Sequence, residues 1–573
     1  MANGQNEFIV RTTLTSLIND CVARFIKHCE DNSLTPAPYE AEKMLLGQIR
    51  SDIMTRNTTA DKTDQWKKPS TLPIYAIGEL VLFFHHVKKI SLSGEDNPAR
   101  KNCALGVYLE EDGVYTTDTD VIDSIISAYS SSLTSKQLAE VRNYMSLRAE
   151  VVSRNDEPNL IAVNNGIYDT YTHTLNPFSP DYVFISKSPV DYNINAQNVH
   201  ITMPDGVDWD CDYQIRVLSG NDLQMEHFLW QNISAALRHN VDFNKSLLYY
   251  GEGGCNGKGT MTHILTSVVG SAASYKLSIS DMAKDFMIAG LRYGQTFIYS
   301  DEADVGEYID KAANFKLLVT HDTLLLNEKY EKPISYRYRG IVVQNINEIP
   351  RVKDSSNSFI RRIIIVPFNA KFEGQERKYI KTDYLNRKDV LEYYLKRALE
   401  MDFTEFDIPD CCFTALDTFK QNNDPVFNFW HDFKDAFVWN VVPVRFIYDL
   451  YKSWAVSNNP QGGVIGYVKF WQQLRNIIEA GDNTWEKWSN TDDDGNTCAP
   501  YKAASGTWSV SIEKKWIGKE DMAGHEPLII TYKMENYYAN GRKNDVDMQK
   551  KADFVRPATV NACIVRNTTP KED

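Results

Sequence analysis

The run Gly251-Glu-Gly-Gly-Cys-Asn-Gly-Lys-Gly-Thr260 follows the apolar, β-prone stretch Ser246–Tyr250. Behind it, Met261, Ile264, Leu265 and Val268 recur at helical spacing. Strand, glycine-rich loop, lysine and helix form the context of a phosphate-binding loop. Gly251, Gly253, Gly254, Gly257 and Gly259, with Asn256 among them, let the backbone turn several N–H groups toward phosphate oxygens. The helix that follows presents its positive end, and Lys258 adds a charge at the β/γ-phosphates. Five residues rather than four separate Gly251 from Gly257. Gly259 follows the lysine, so the hydroxyl that meets Mg2+ falls to Thr260. The alternative is a glycine-rich turn with a solvated lysine, and the flanking strand and helix argue against it. Cys255 reads as a small tolerated side chain.

A second strand, Thr296–Ser300, ends in Asp301-Glu302. With a phosphate loop upstream, Asp301 would hold Mg2+ through water and Glu302 would polarise the attacking water of ATP hydrolysis. A third strand, Gly340–Gln344, leads to Asn345-Ile-Asn347. An amide at a strand tip beside a γ-phosphate can orient that water, and the residues alone leave Asn345 and Asn347 both open. Arg361 and Arg362 stand directly before the buried run Ile363–Phe368. An arginine presented to a neighbour's ATP stabilises transition-state charge; an ion pair within the subunit is the alternative for each.

These groups need a parallel α/β sheet to position them, and residues 240–370 alternate strand runs with helical periods as such a sheet requires. Residues 1–100 read as mostly helical, with Leu14, Leu17, Ile18, Cys21, Val22, Phe25 and Ile26 on one helical face. Residues 101–235 shift toward β and turn signals, with Leu160–Val163, a turn at Asn164-Asn-Gly, and a second strand. Gln421-Asn-Asn-Asp-Pro425 is a boundary cluster. Beyond it, Phe446, Ile447, Leu450, Tyr451 and Trp454 share one helical face, and Phe470, Leu474, Ile477 and Ile478 another. Trp508–Ile512 and Leu528–Tyr532 read as strands. Asp118 and Asp120 are the one close carboxylate pair suggestive of two-metal chemistry; helix capping before Val121–Tyr129 accounts for them better.

The chain has 573 residues, 43% of them hydrophobic and 24% charged, which excludes disorder throughout. The greasy stretch Ile74–Phe84 contains Glu79 and falls far short of the ~20 residues of a membrane span. The first residues carry no basic and apolar pair of regions, so no secretory signal is expected. A net charge of −14 means that any nucleic acid is met by local basic patches, not by bulk attraction. Nine cysteines without C-x-x-C spacing argue against a zinc ribbon or disulfide framework and fit a reducing cytosol.

Lys258, Asp301-Glu302 and Asn347 lie within about a hundred residues, a spacing that resembles superfamily 3 helicases. Gly251–Thr260, Asp301–Gly306, Gln344–Arg351 with Lys353-Asp354, Ser358–Phe368 and Arg377–Tyr384 with Arg387–Tyr393 resemble the phage and mobile-element primase-helicases related to the poxvirus primase-helicase. The resemblance covers roughly residues 100–480 and implies an AAA+-like core. With the pattern of the remaining residues, the expected chain is multidomain α+β: a helical N-terminal region (1–100), a small mixed α/β domain (101–235), an AAA+-like ATPase with a parallel sheet (236–400), and a winged-helix-like region with a β-rich tail (425–573). The resemblance implies a homo-oligomer, a hexameric ring moving along single-stranded or forked DNA in the cytoplasm of a bacterial host. The family's motif asparagine precedes Glu-x-Pro, which selects Asn347. In superfamily 3 proteins a hairpin between the second and third motifs enters the ring channel, which places Lys329 and Lys332 on phosphates and Tyr330 beside them. Arg337 and Arg339 line the same channel or pair with acidic neighbours. Residues 430–480 resemble a winged helix with Lys469 and Arg475 on its recognition helix; ring packing without DNA is the competing reading. The expected function is an ATP-dependent replicative DNA helicase of a phage or mobile element, with any primase and origin DNA as separate partners. The alternatives are a bifunctional primase-helicase, an origin-binding or regulatory AAA+ ATPase without unwinding, and an AAA+ remodeller of protein substrates.

Overall fold

Five short strands with apolar runs set the plan of the molecule: β1 (Ser246–Tyr250), β2 (Ser274–Lys276), β3 (Phe297–Ser300), β4 (Ile341–Ile346) and β5 (Ile363–Pro367). All neighbouring pairs are parallel, and the order across the sheet is β2-β3-β4-β1-β5. β4 is buried along its whole length, as expected when both faces of a parallel sheet are covered. Helices α1 (Cys211–Leu218), α2 (Leu223–Leu237), α3 (Lys258–Val269) and α4 (Lys388–Leu399) share one core with this sheet. Trp209, Trp230, Leu265, Val343 and Tyr394 are among its buried members.

The computed structural model describes residues 13–94, 99–251, 254–284, 286–301, 308–309, 312–327, 333–347, 351–352, 357–372, 377–435, 441–458, 464–481, 485–489, 501–502, 559–560 and 562–566. The chain divides into two compact units, Met1–Phe413 and Thr414–Asp573.

In the first unit, helices Leu14–Asp31, Pro38–Thr58, Ile74–Phe84, Thr119–Tyr129 and Ser135–Arg148 close one apolar core. Thr13 and Thr134 cap their helices with reciprocal capping boxes. Asp118 accepts the N–H of Asp120 at 2.8 Å and caps Thr119–Tyr129, so this pair is a helix start. Strand Val87–Ser91 pairs with Cys103–Leu109 on one side and Glu150–Ser153 on the other, so residue 100 falls inside a sheet and not between domains. Leu160–Val163 and Gly166–Asp169 form the hairpin read from the Asn-Gly turn, and Thr174–Asn176 extends it.

In the second unit, helices Pro425–Phe433, Val444–Asn458 and Tyr467–Gly481 enclose Phe429, Trp430, Leu450, Tyr451, Phe470 and Leu474. Against them lies an antiparallel sheet of Val441–Pro443, Ala562–Arg566 and Trp485–Ser489, in that spatial order. The expected strands Trp508–Ile512 and Leu528–Tyr532 lie outside the described residues.

Candidate functional site

The C-terminal ends of β1, β3 and β4 converge on one cavity of about 520 Å3. In parallel sheets this edge is where ligands bind. β1 runs into Gly251, whose N–H donates to the Ile346 carbonyl at 3.3 Å, so the start of the loop is still tied to the neighbouring strand. A side chain on Gly251 would sit 3.0 Å from the Phe368 carbonyl, so the loop begins where only a glycine fits easily. Gly257 has φ +93° and would drive a Cβ to 2.4 Å from Leu218. Gly254 and Gly259 have more room, the latter facing Lys381. Phe372 donates its N–H to the Cys255 carbonyl at 2.9 Å, so the segment after β5 straps the loop from outside.

Lys258 opens α3 and is buried. Its ammonium donates to the Gly251 carbonyl at 2.8 Å, to Asn347 Oδ1 at 2.9 Å, and to Asn256 Oδ1 at 3.4 Å. The two asparagines at the β4 tip now separate. Asn345 is buried and exchanges hydrogen bonds with the Thr262 hydroxyl on α3, at 3.0 and 3.2 Å. Asn347 lies two residues further and reaches the lysine at the cavity. Thr260 and Asp301 line the same cavity, and Asp301 accepts from Lys276 Nζ at 2.6 Å across β2 and β3. That ion pair is solvent-exposed and worth at most about 1 kcal/mol. One hydroxyl and one carboxylate suit Mg2+, which takes few protein ligands and leaves positions for phosphate and water. Gly253 and Glu302 lie outside the described residues.

Arg361 and Arg362 lie at the opposite edge of the sheet. The Arg362 carbonyl accepts the N–H of Ser246, at the start of β1, at 2.7 Å. A five-residue strand spans about 16 Å, so neither arginine reaches the cavity of its own chain. Arg362 donates to Ser358 Oγ at 2.9 Å, which ties it within its chain, while Arg361 is exposed.

Strands Thr323–Leu326 and Ile334–Arg337 pair antiparallel as the expected hairpin. Its tip, with Lys329, Tyr330 and Lys332, lies outside the described residues. Of the two readings of Arg337 and Arg339, acidic pairing is the one seen: both face Asp242, at 3.8 and 2.8 Å. In the second unit, Lys469 is exposed on helix Tyr467–Gly481, and Arg475 lies over the Trp471 ring at 5.8 Å.

Several lining groups escaped the sequence reading. Tyr213, Gln214 and Leu218 come from α1, and Phe372, Arg377, Lys378 and Lys381 from the segment after β5. The residues of α1 carry no local signal of a site, and the family-like stretch Arg377–Tyr384 was assigned no role at the nucleotide. Together with Lys258 they make four cations against the single carboxylate of Asp301, a field suited to a polyanion.

Comparison with known proteins gives three family matches. Residues 421–503 match the family described as poxvirus D5 protein-like, and residues 98–214 match one described as D5 N terminal like. Residues 249–362 match a family of unknown function, and this stretch holds the glycine loop, Asp301 and Asn347. Among solved structures, two apo structures of the NrS-1 C terminal region align at 12% identity. One covers 70% of this chain and 85% of that chain with a TM-score of 0.38, the other 86% and 99% with 0.41. A third, of residues 305–718 of the same region, aligns at 14% identity, covering 72% and 96%, with a TM-score of 0.40. Scores this low carry no argument about this chain.

Proposed function

We propose, for a chain related to the poxvirus D5-like proteins, an ATP-driven DNA helicase of the primase-helicase kind, with an AAA+-like motor. The observation that carries the reading is the Lys258 ammonium. It is buried at the mouth of a glycine loop, between a backbone carbonyl and Asn347, at the C-terminal edge of a parallel sheet. A triphosphate would draw this ammonium from neutral oxygen partners to charged ones. The N–H groups of the loop and of the first turn of α3 would receive phosphate oxygens. Asn347 would keep its amide beside the terminal phosphate to orient water, and Glu302 would act on the same water. Thr260 and Asp301 would hold Mg2+, which offsets phosphate charge.

The placement of Arg361 on the far edge supports action on the ATP of a neighbouring copy, and hence a homo-oligomer, proposed as a hexameric ring. Lys329 and Lys332, at the tip of the hairpin, would track the backbone of single-stranded or forked DNA. In the second unit, the packing of Pro425–Phe433, Val444–Asn458 and Tyr467–Gly481 with the sheet of Val441–Pro443, Ala562–Arg566 and Trp485–Ser489 supports a winged-helix reading in which Lys469 adds a DNA contact. No helix among the described residues is long and apolar enough to cross a membrane, and the proposed place of action is the cytoplasm of a bacterial host.

The test is strand displacement from a forked substrate with and without ATP, beside ATP hydrolysis. The wild-type chain unwinds only with ATP, and Lys258→Ala loses both activities by at least a hundredfold. Normal hydrolysis by Lys258→Ala would remove the phosphate-loop assignment. ATP hydrolysis without strand displacement would replace the helicase by a DNA-bound ATPase.

A further inference from the structure

The cavity is larger than a triphosphate needs. Beyond the glycine loop it continues into a slot between α1 and the short helix Lys378–Thr382. The slot has apolar walls: Val217 and Leu218 on one side, Ile380 and Phe372 on the other. On α1, away from Asn256 in the loop, stands a nearly buried uncharged hydrogen-bonding side chain, Gln214, at 6% exposure. Its orientation is fixed from behind. Gln214 Oε1 accepts from the indole Nε1 of Trp209 at 2.9 Å. Trp209 is fully buried, and an indole N–H can only donate. The amide therefore cannot turn its oxygen outward without leaving that N–H unsatisfied in the core, at a cost of about 1–3 kcal/mol. What Gln214 offers the cavity is its NH2 group, a pure donor.

We infer that this slot is the base subsite of the nucleotide site, and that Gln214, locked by Trp209, reads a hydrogen-bond acceptor on the edge of the base. The inference rests on the proposed function for the presence of a nucleoside triphosphate, and extends it to how the base is held. Flat apolar walls favour an aromatic ring, and the locked donor pairs with a ring nitrogen or a carbonyl and rejects an exocyclic amine. The Arg377–Asp205 ion pair ties the second wall to the chain that precedes α1.

Competition binding separates this inference from the reading on which it rests. A fluorescent, ribose-labelled ATP analogue is displaced from the full chain by ATP and, separately, by inorganic tripolyphosphate. With the wild-type chain, ATP competes at least tenfold better than tripolyphosphate. Gln214→Leu reduces that advantage by about fivefold to tenfold and leaves displacement by tripolyphosphate unchanged, which also certifies that the variant is folded at the loop. Gln214→Glu keeps an acceptor for Trp209 but turns a second acceptor on the base, and reduces the advantage at least as far. Persistence of the full ATP advantage in both variants overturns the base subsite. An ATP advantage absent from the wild type overturns it too, while tripolyphosphate binding still supports the phosphate loop. Failure of both competitors and of the analogue to bind removes the proposed function together with the inference.

Discussion

Asn345 and Asn347 differ by two positions along one strand, and the structure gives them different work. Asn345 spends its amide on Thr262 inside the core, where loss of the pair leaves the threonine hydroxyl without its partner on the strand. Asn345→Ala should cost about 1–3 kcal/mol of stability. Asn347 is only half-buried and meets the Lys258 ammonium. Asn347→Ala should change stability by less than about 1 kcal/mol and lower ATP hydrolysis at least tenfold. Urea unfolding beside steady-state hydrolysis checks both, and equal stability losses would erase the distinction. The residues could not supply it in sequence, because both amides sit at a strand tip facing α3, and only the fold shows which meets Thr262 in the core and which meets Lys258 at the cavity. Lys258, Thr260 and Asp301 were legible because a glycine-rich loop or an acidic pair directly after an apolar strand marks them locally. Gln214 was not, because it stands inside a helix with no such mark and reaches the cavity only by packing.

The hairpin shows what an element needs in order to project. Its base is fixed by a cluster around Asp242, which faces His321, Arg337 and Arg339. His321 also meets the Gly340 carbonyl at 2.9 Å, and the Arg337 N–H donates to the Leu92 carbonyl at 2.9 Å. Hydrogen bonding to His321, with the charges of His321, Arg339 and Arg337 behind it, holds the Asp242 carboxyl below its ordinary 3.8 against the opposing effect of burial. A carboxyl depressed in the folded chain contributes stability that is present above 3.8 and is lost as pH falls through the folded value. Asp242→Asn should therefore lower the melting temperature at neutral pH, at a cost of about 1–2 kcal/mol given the half-exposed aspartate, and flatten the acid limb below pH 4. Melting curves from pH 2.5 to 7 check this; parallel acid limbs would mean that Asp242 is not the titrating anchor. The order of an apolar run Leu324–Asn327, a polar turn Glu328–Pro333 and a second run Ile334–Arg339 made the hairpin readable from sequence. The cluster beneath it was not, because Asp242 lies more than ninety residues before the arginines that it holds.

Seen as a whole, the sheet separates the two chemical groups that a hydrolytic site of this kind would use. The lysine end and the arginine end of the first unit are a strand length apart, so under the proposed action in trans one copy would carry half of each of two sites. Arg361→Ala should lower ATP hydrolysis by about a hundredfold or more with little effect on nucleotide affinity. Mixing it with Lys258→Ala subunits should restore part of the activity, because some contacts then join an intact lysine to an intact arginine. Wild-type turnover by Arg361→Ala would refute action in trans. The second unit carries a different consequence, one for biosynthesis. Its sheet has Ala562–Arg566 in the middle, between two strands made much earlier. During translation, Val441–Pro443 and Trp485–Ser489 emerge without the strand that pairs them. The 72 residues between Ser489 and Ala562 take roughly 4–14 s to synthesise at about 5–20 residues per second. For that interval, both strands expose unpaired edges to the other nascent chains of a polysome. Emergence of Ala562–Arg566, and not the completion of its helices, sets the moment at which this unit can close.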